Sequence, residues 1–318
     1  MYAVPILLGV NIITFALFFM VNSPDQMARR QLGEHRVTQE AIDKWKLDRG
    51  YASPMLWNSG RNGFDCIRDT IFFSTSARLF SFEFGQSDSG RDISADIRQR
   101  MWPSLSIAIP ALFVEVLLAI TLALAATLLR GSYVDRWLTI ACVALMSVSS
   151  LFYIMAGQFL IAKSLRILPI SGYADGLAGV KFIVLPVLVQ VFASLGANVR
   201  WYRTVFLEEI ERDYVRTAWA KGLSESIVML HHVLRNALLP LLTNIVVILP
   251  GLFLGSLITE SFFAIPGLGS YTIDAIQNQD FAAVRAMVFL GSLLYIAGLI
   301  LTDISYAWAD PRVRLGKD

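Results

Sequence analysis

The sequence predicts an all-α integral membrane protein with six transmembrane helices, one long external segment after the first helix, and a cytoplasmic helix between the fourth and fifth. Three observations predict it. The 318 residues are 55% hydrophobic and only 16% charged, with a mean hydropathy of +0.57, whereas about a quarter of a soluble domain is charged. The charges crowd into residues 22–101, 200–225 and the last sixteen positions. Between them lie six apolar runs, at about 3–21, 103–129, 137–162, 182–199, 237–259 and 283–302, and a helix needs roughly 20 apolar residues to cross the hydrocarbon core.

The first run, 1–21, reads as a retained helix. No positive n-region and no small-x-small cleavage site precede the polar stretch that begins at Asn22, so it lacks the marks of a signal peptide. It starts abruptly, with Pro5 four residues in, which fits a short basic leader standing upstream of Met1. Residues 22–101 then carry twelve Lys/Arg and eleven Asp/Glu, with helical stretches such as 38–49 ending at Gly50. They lack the Ser/Gly/Pro bias of a disordered linker, so a small folded extension on the outer mouth is expected, followed by a five-helix core over 102–318.

Orientation follows from the short connections, because long segments translocate regardless of charge. One face collects Arg130, Arg136, Arg200, Arg203, Arg212, Arg216, Lys221, Arg235, Arg312, Arg314 and Lys317; the other collects Lys163, Arg166, Lys181 and Arg285. Eleven against four puts both termini in the cytoplasm and residues 22–101 outside, in the periplasm. The net charge of +2 makes no case for nucleic acid as a partner.

Within the spans, Glu115 sits near the middle of the second. A lone carboxylate there is costly unless it faces protein or water. It reads either as a wall of a translocation path or as a polar contact between helices. Gln158, Gln190, Asn198 and Asn244 are intramembrane amides, of which Gln158 and Asn244 are carried forward as path candidates; each also suits helix–helix bonding. Cys142 in the third span and Cys66 in the polar segment belong on different sides of the membrane boundary, so neither a disulfide nor thiol chemistry is expected. Pro240 and Pro250 flank the start and middle of the fifth span and kink it. Gly251-x-x-x-Gly255 allows close backbone approach, at a subunit interface or inside the bundle. Residues 271–281 are too polar to cross and read as a short re-entrant or surface helix. His231 and His232, being adjacent, do not share one side of a helix, which disfavours a metal site there.

The most informative stretch is the loop over 200–236. Val215, Ala218, Trp219 and Gly222 share one helical face at i, i+3, i+4 and i+7, with Leu223 beyond them, and the other face is charged. Gly222 suits the left-handed residue that ends such a helix, and Ser224 suits the cap of the next, with Glu225 in its first turn. The stripe fits an interfacial helix on the lipid surface or a docking helix for a cytosolic partner. Its small side chains, Trp219 apart, suit a protein groove better than acyl chains.

Several runs resemble one family. They are Arg216-Thr-Ala…Lys221-Gly-Leu-Ser, Leu234-Arg-Asn-Ala-Leu-Leu-Pro240, Phe84-Gly85-x-Ser87, Arg100-x-x-Pro103-Ser-Leu105, Glu260-x-x-Phe-x-Ile-Pro-Gly-Leu-Gly269 and Asp310-Pro-Arg312. In this order, on a six-span plan with one long loop after the first span, they resemble the permease subunits of binding-protein-dependent ATP-binding-cassette importers, in the dipeptide/oligopeptide/nickel branch. Ala218 and Gly222 match the small-residue positions of that family's cytoplasmic EAA loop. Arg216 stands where the wider superfamily often has an acidic residue, and Trp219 is bulkier than the usual one.

The resemblance implies a channel-forming subunit of the bacterial inner membrane that moves short peptides or peptide-like solutes by alternating access. It implies a second homologous permease, two ATPase subunits that dock on Val215, Ala218, Trp219, Gly222 and Leu223, and an external solute-binding protein. The sequence contains no Gly-x-x-x-x-Gly-Lys-Ser/Thr, so no phosphate-cradling loop. ATP and Mg are therefore expected to be used by the partners, with no cofactor on this chain. No Gly-x-Ser-x-Gly, His-Glu-x-x-His or Cys-x-x-Cys occurs either, which disfavours a membrane enzyme. A nickel permease is the alternative; its path calls for His, Cys or several carboxylates, and the spans offer one carboxylate, one cysteine and no histidine. A secondary transporter or membrane scaffold is the more distant alternative, since no internal repeat of the kind carriers show is visible.

Overall fold

The computed structural model describes residues 3–33, 37–60 and 65–309. The Asp310–Arg312 run, Arg314, Lys317, Met1 and His35 lie outside the described residues. Fifteen α-helices occur among the described residues: α1 Ala3–Val21, α2 Pro24–Leu32, α3 Gln39–Arg49, α4 Asp65–Arg68, α5 Ile71–Phe80, α6 Ile93–Leu128, α7 Tyr133–Met146, α8 Ser150–Gly157, α9 Val180–Ile210, α10 Asp213–Ala220, α11 Glu225–Ile227, α12 Leu234–Leu252, α13 Leu257–Phe262, α14 Leu268–Gln277 and α15 Phe281–Ala309. Four helical stretches, 93–128, 176–210, 225–252 and 281–304, are long and apolar enough to cross a membrane, and two bent pairs bring the number to six. Their outward faces are apolar: Phe113 and Trp137 are each 69% exposed. Side chains so placed suit lipid or a partner subunit rather than water.

The chain forms two compact units, residues 1–99 with 272–296, and residues 100–271 with 297–318. In the first, Ser23 and Gln26 form a reciprocal capping box that starts α2, satisfying backbone donors that a helix start leaves open. The helix α3 ends at Gly50, whose φ of 72° is left-handed, as the sequence led one to expect. The core is aromatic. Phe15 stacks on Phe19 with centroids 4.5 Å apart, and Phe72 meets Phe15 edge-on. Lys46 bridges Asp25 at 2.7 Å and Asp43 at 3.0 Å, and Asp88 meets Arg49 at 2.5 Å. The backbone N–H of Asp88 donates to Asp280; desolvation, with the nearby Asp280 charge, raises the Asp88 carboxyl above the usual range against the pull of Arg49.

The second unit is a helical bundle around α9. Gly196 lets α9 approach α7 closely: a Cβ there would lie 2.5 Å from the Cys142 carbonyl oxygen. At one end of this contact Arg203 meets Asp135 at 2.8 Å. Two spans differ from the single helices expected. The run expected as one span over 137–162 is α7 and a second leg, 150–164, set at 94°. The Ser147–Ser149 segment causes the break: Ser147 Oγ donates to the Val143 carbonyl and the Ser149 side chain caps the next helix. The Tyr153 hydroxyl then donates to the Leu145 carbonyl at 2.8 Å, giving a partner to a backbone acceptor beside the break. The second leg ends in a π-helical turn, Gln158–Ser164.

The run expected over 237–259 stops at Leu252. Gly255 turns the chain at φ 71° and α13 begins separately. Pro250 therefore stands two residues from a helix end instead of mid-span, and the two glycines of the Gly251-x-x-x-Gly255 pair differ in role. A Cβ on Gly251 would meet nothing within 4 Å, while Gly255 makes the turn.

Candidate functional site

Three helix faces border a cavity of about 450 Å³. From α6 come Ala108, Ala111, Leu112 and Glu115, one strip at i, i+3, i+4 and i+7. From α9 come Val189, Gln190, Ala193 and Ser194, and from α12 Ile248, Gly251 and Leu252; residues 255–259 and Ser150 complete the lining. Glu115 is half-buried, and the Asn198 side-chain amide donates to its Oε1. Gln190, Ser194 and Asn198 thus run along α9 at i, i+4 and i+8, a polar stripe on an apolar helix that the spacing alone would have revealed. Of the other path candidates, Gln158 lies elsewhere. Its amide donates to the carbonyls of Phe262 at 3.0 Å and Ile170 at 3.3 Å, tying the π-helical turn to the end of α13 and to the loop at Ile170. Asn244 is half-buried on α12 and is not among the cavity-lining residues.

One wall of this cavity, Gly255–Thr259, is held by a carboxylate the sequence reading left without a role. Glu260 is only 1% exposed. It accepts the backbone N–H groups of Ser256 at 3.1 Å, Gly269 at 2.7 Å and Ser270 at 3.1 Å. A Cβ on Gly255 or Gly267 would fall on that carboxylate, so glycine is the residue that fits at both. Ser104 reaches the same corner, its Oγ accepting the Leu268 N–H at 2.8 Å, and Arg100 lies over the Tyr271 ring at 5.0 Å. The Arg100…Leu105 and Glu260…Gly269 runs, far apart in sequence, are therefore two halves of one backbone clasp.

The 213–223 segment divides the five expected docking residues. Val215 is fully buried and Ala218 is 4% exposed; both pack into the chain's own core with Val228, Met229, Val233 and Ala237. Trp219 is 41% and Leu223 36% exposed. Gly222 ends the helix at φ 79° with open space where a Cβ would stand. Ser224 precedes the following helix without a side-chain capping bond. The Tyr214 hydroxyl donates to Glu209 at 2.6 Å, fastening α10 to the end of α9; burial, with the Glu209 carboxylate, pushes this phenol up to about 12. Beside α10 lies a groove bordered by Leu223, Ile227, Leu230, His231, His232, Arg235 and Asn236. Both histidines border it, on a π-helical turn over residues 228–233. No cluster of three or more metal-ligating side chains occurs among the described residues.

Residues 115–315 match the family model described as binding-protein-dependent transport system inner membrane component. The chain is 30% identical over 318 residues to a Brucella abortus protein named for a peptide transport system permease, covering 98% of this chain and 96% of the relative. It is 28% identical to the dipeptide transport system permease protein of Bacillus subtilis, covering 98% and 94% of the two chains. The like-named protein of Lactococcus lactis is also 28% identical, with 98% and 96% covered.

Proposed function

The chain belongs to the family of binding-protein-dependent transport system inner membrane components, a multi-pass membrane protein, and from that premise we propose that it is one of two permease subunits of an ATP-driven importer of short peptides. The peptide- and dipeptide-transport names of relatives aligned over nearly the whole chain support the solute class. Nickel is not favoured. The partners are a second homologous permease, two ATPase subunits that bind and hydrolyse ATP with Mg, and an external solute-binding protein. Both termini are cytoplasmic and residues 22–101 are external, on the charge asymmetry of the short connections.

The observation that carries the coupling role is the division of α10. Val215 and Ala218 anchor the helix to the bundle, and Tyr214 ties it to α9, while Trp219, Gly222 and Leu223 stay outward. A push on the outward residues is thereby delivered to α9 and α12 rather than absorbed by a loose loop. Those helices border the cavity at Glu115, which serves as a stretch of the solute path. Each swing between outward- and inward-open states is driven by the partners' different affinities for the two.

The test is co-purification with the neighbouring permease and ATPase subunits, then peptide uptake by a deletion strain starved of an amino acid and fed it as di- to hexapeptides. The complemented strain grows and the deletion strain does not. Unchanged peptide uptake together with lost nickel-dependent enzyme activity would replace peptide by nickel. Cytosol-only fluorescent reporters glow when fused after residue 318 and stay dark at 60; the reverse overturns the orientation.

A further inference from the structure

We propose that the cavity beside Glu115 is a cation site that takes the ammonium group of the passing solute, the free amino end of a peptide. This rests on the peptide reading and adds to it a residue and a chemistry. Glu115 is the one charged side chain among the described residues that line the cavity. Its Oε1 is engaged by the neutral amide of Asn198, which stabilises the anion without neutralising it. A carboxylate in apolar surroundings gains from a counter-charge, and the lining supplies none. A carboxylate facing a cavity whose lining holds no cationic side chain favours a cation and disfavours an anion.

The kind of cation follows from the donors. A divalent metal needs six or more oxygen ligands for Ca²⁺, or a near-ideal octahedron for Mg²⁺, and one carboxylate does not supply either. A guanidinium pairs best with both oxygens of a carboxylate, and here Oε1 is already engaged. A compact ammonium needs one oxygen of the carboxylate, and the neutral partners Asn198 and Ser194 leave the charge itself without a counter-ion. Gln190, two turns before Asn198 on α9, offers a further oxygen to the other ammonium hydrogens, and Ser194, one turn before it, lies against the carboxylate. The small residues Ala108, Ala111, Ala193 and Gly251 leave clearance for the rest of the solute.

The test uses the complete purified transporter without its external binding protein, so that selection by that protein does not enter. The probe is alanyl-photoleucine, cross-linked by light and located by mass spectrometry. The competitors are Ala-Leu and N-acetyl-Ala-Leu. Labelling is expected on cavity residues, with Ala-Leu displacing the probe on the order of tenfold better than its acetylated form, the scale of one charge-assisted contact. In Glu115→Gln that difference disappears, and in Glu115→Asp it returns in part. Equal displacement by the two competitors in the wild type, labelling confined to other regions, or a difference that persists in Glu115→Gln overturns the site, even with peptide uptake intact. A complete transporter that takes up no peptide at all sinks the peptide reading instead, and the site with it.

Discussion

The Glu260 carboxylate accepts the Gly269 backbone N–H at 2.7 Å, closing nine residues of chain around a buried negative charge. Two more backbone donors complete its shell, and glycines at 255 and 267 make room for it. A hydrogen bond to a charged group contributes about 1.5–3 kcal/mol. Glu260→Gln turns an amide donor toward N–H groups and is expected to lower stability by about 3 kcal/mol or more. Gly267→Ala drives a methyl into the carboxylate and acts in the same direction. Gly9→Ala, where a Cβ meets nothing within 4 Å, leaves stability equal or slightly higher, since alanine is the better helix former. Thermal unfolding of the detergent-purified protein orders the three. Gly267→Ala melting with the wild type would remove the clasp from the account.

The two sides of α10 give opposite phenotypes. Ala218→Arg puts a charge into a core position 4% exposed, at a cost of several kcal/mol, and is expected to abolish recovery of monodisperse protein. Trp219→Ala, on the outward side, leaves the protein monodisperse and weakens retention of the ATPase subunits. Size-exclusion profiles and co-purification measured on both variants read the two effects separately. Wild-type ATPase retention by Trp219→Ala would reassign the docking surface.

Arg203 and Asp135 form a pair with side chains 25% and 10% exposed. Removing one partner of a buried pair costs about 3–5 kcal/mol, while replacing both by apolar residues is often close to neutral. Arg203→Met should therefore destabilise the α7–α9 contact more than the double change Arg203→Met with Asp135→Leu. Melting temperatures of the single and double variants decide it; a double variant as unstable as the sum of the two singles would mean the pair acts independently.

Tyr214 sets an alkaline limit. Its phenol is pushed from the ordinary value to about 12, so the folded chain holds this proton more tightly than the unfolded chain. The corresponding stability is whole below about pH 10, the unfolded value, and is lost as pH rises through the folded value. Denaturation midpoints measured between pH 9 and pH 12, roughly the interval spanned by the two values, should fall more steeply for the wild type than for Tyr214→Phe. Parallel curves would separate the phenol from the linkage.

The sequence announced what depends on length and sign. Hydrophobic runs, the lone Glu115, and Gly50 and Gly222 as helix ends were all legible before any coordinates. The break at 147–149 was not, because Ser147 and Ser149 are small enough to pass inside an apolar run and act only through their caps. Periodicity identified the Val215–Ala218 face as apolar but does not say what covers an apolar face; the chain's own residues 228–237 do. Glu115 was visible, yet its partners were read singly, and only the four-residue spacing of Gln190, Ser194 and Asn198 links them. Glu260 was legible as part of a run but not as an acceptor, because its three donors are backbone groups with no signature in side-chain identity.

The bend after Met146 bears on biosynthesis. The two legs, 14 residues and then 8 plus 7, reach about 21 and 22 Å at 1.5 Å per residue, short of the roughly 30 Å of hydrocarbon. Neither leg alone is long enough to cross, and the backbone groups at the corner between them depend on the chain's own bonds, such as that from Tyr153 to Leu145, because lipid supplies none. The helix packed against both legs, α9, is translated later. With the bent pair as one span, stable seating of this segment is expected to await Val180–Ile210, so that nascent chains truncated before that helix are extracted by alkali more readily than chains truncated after it.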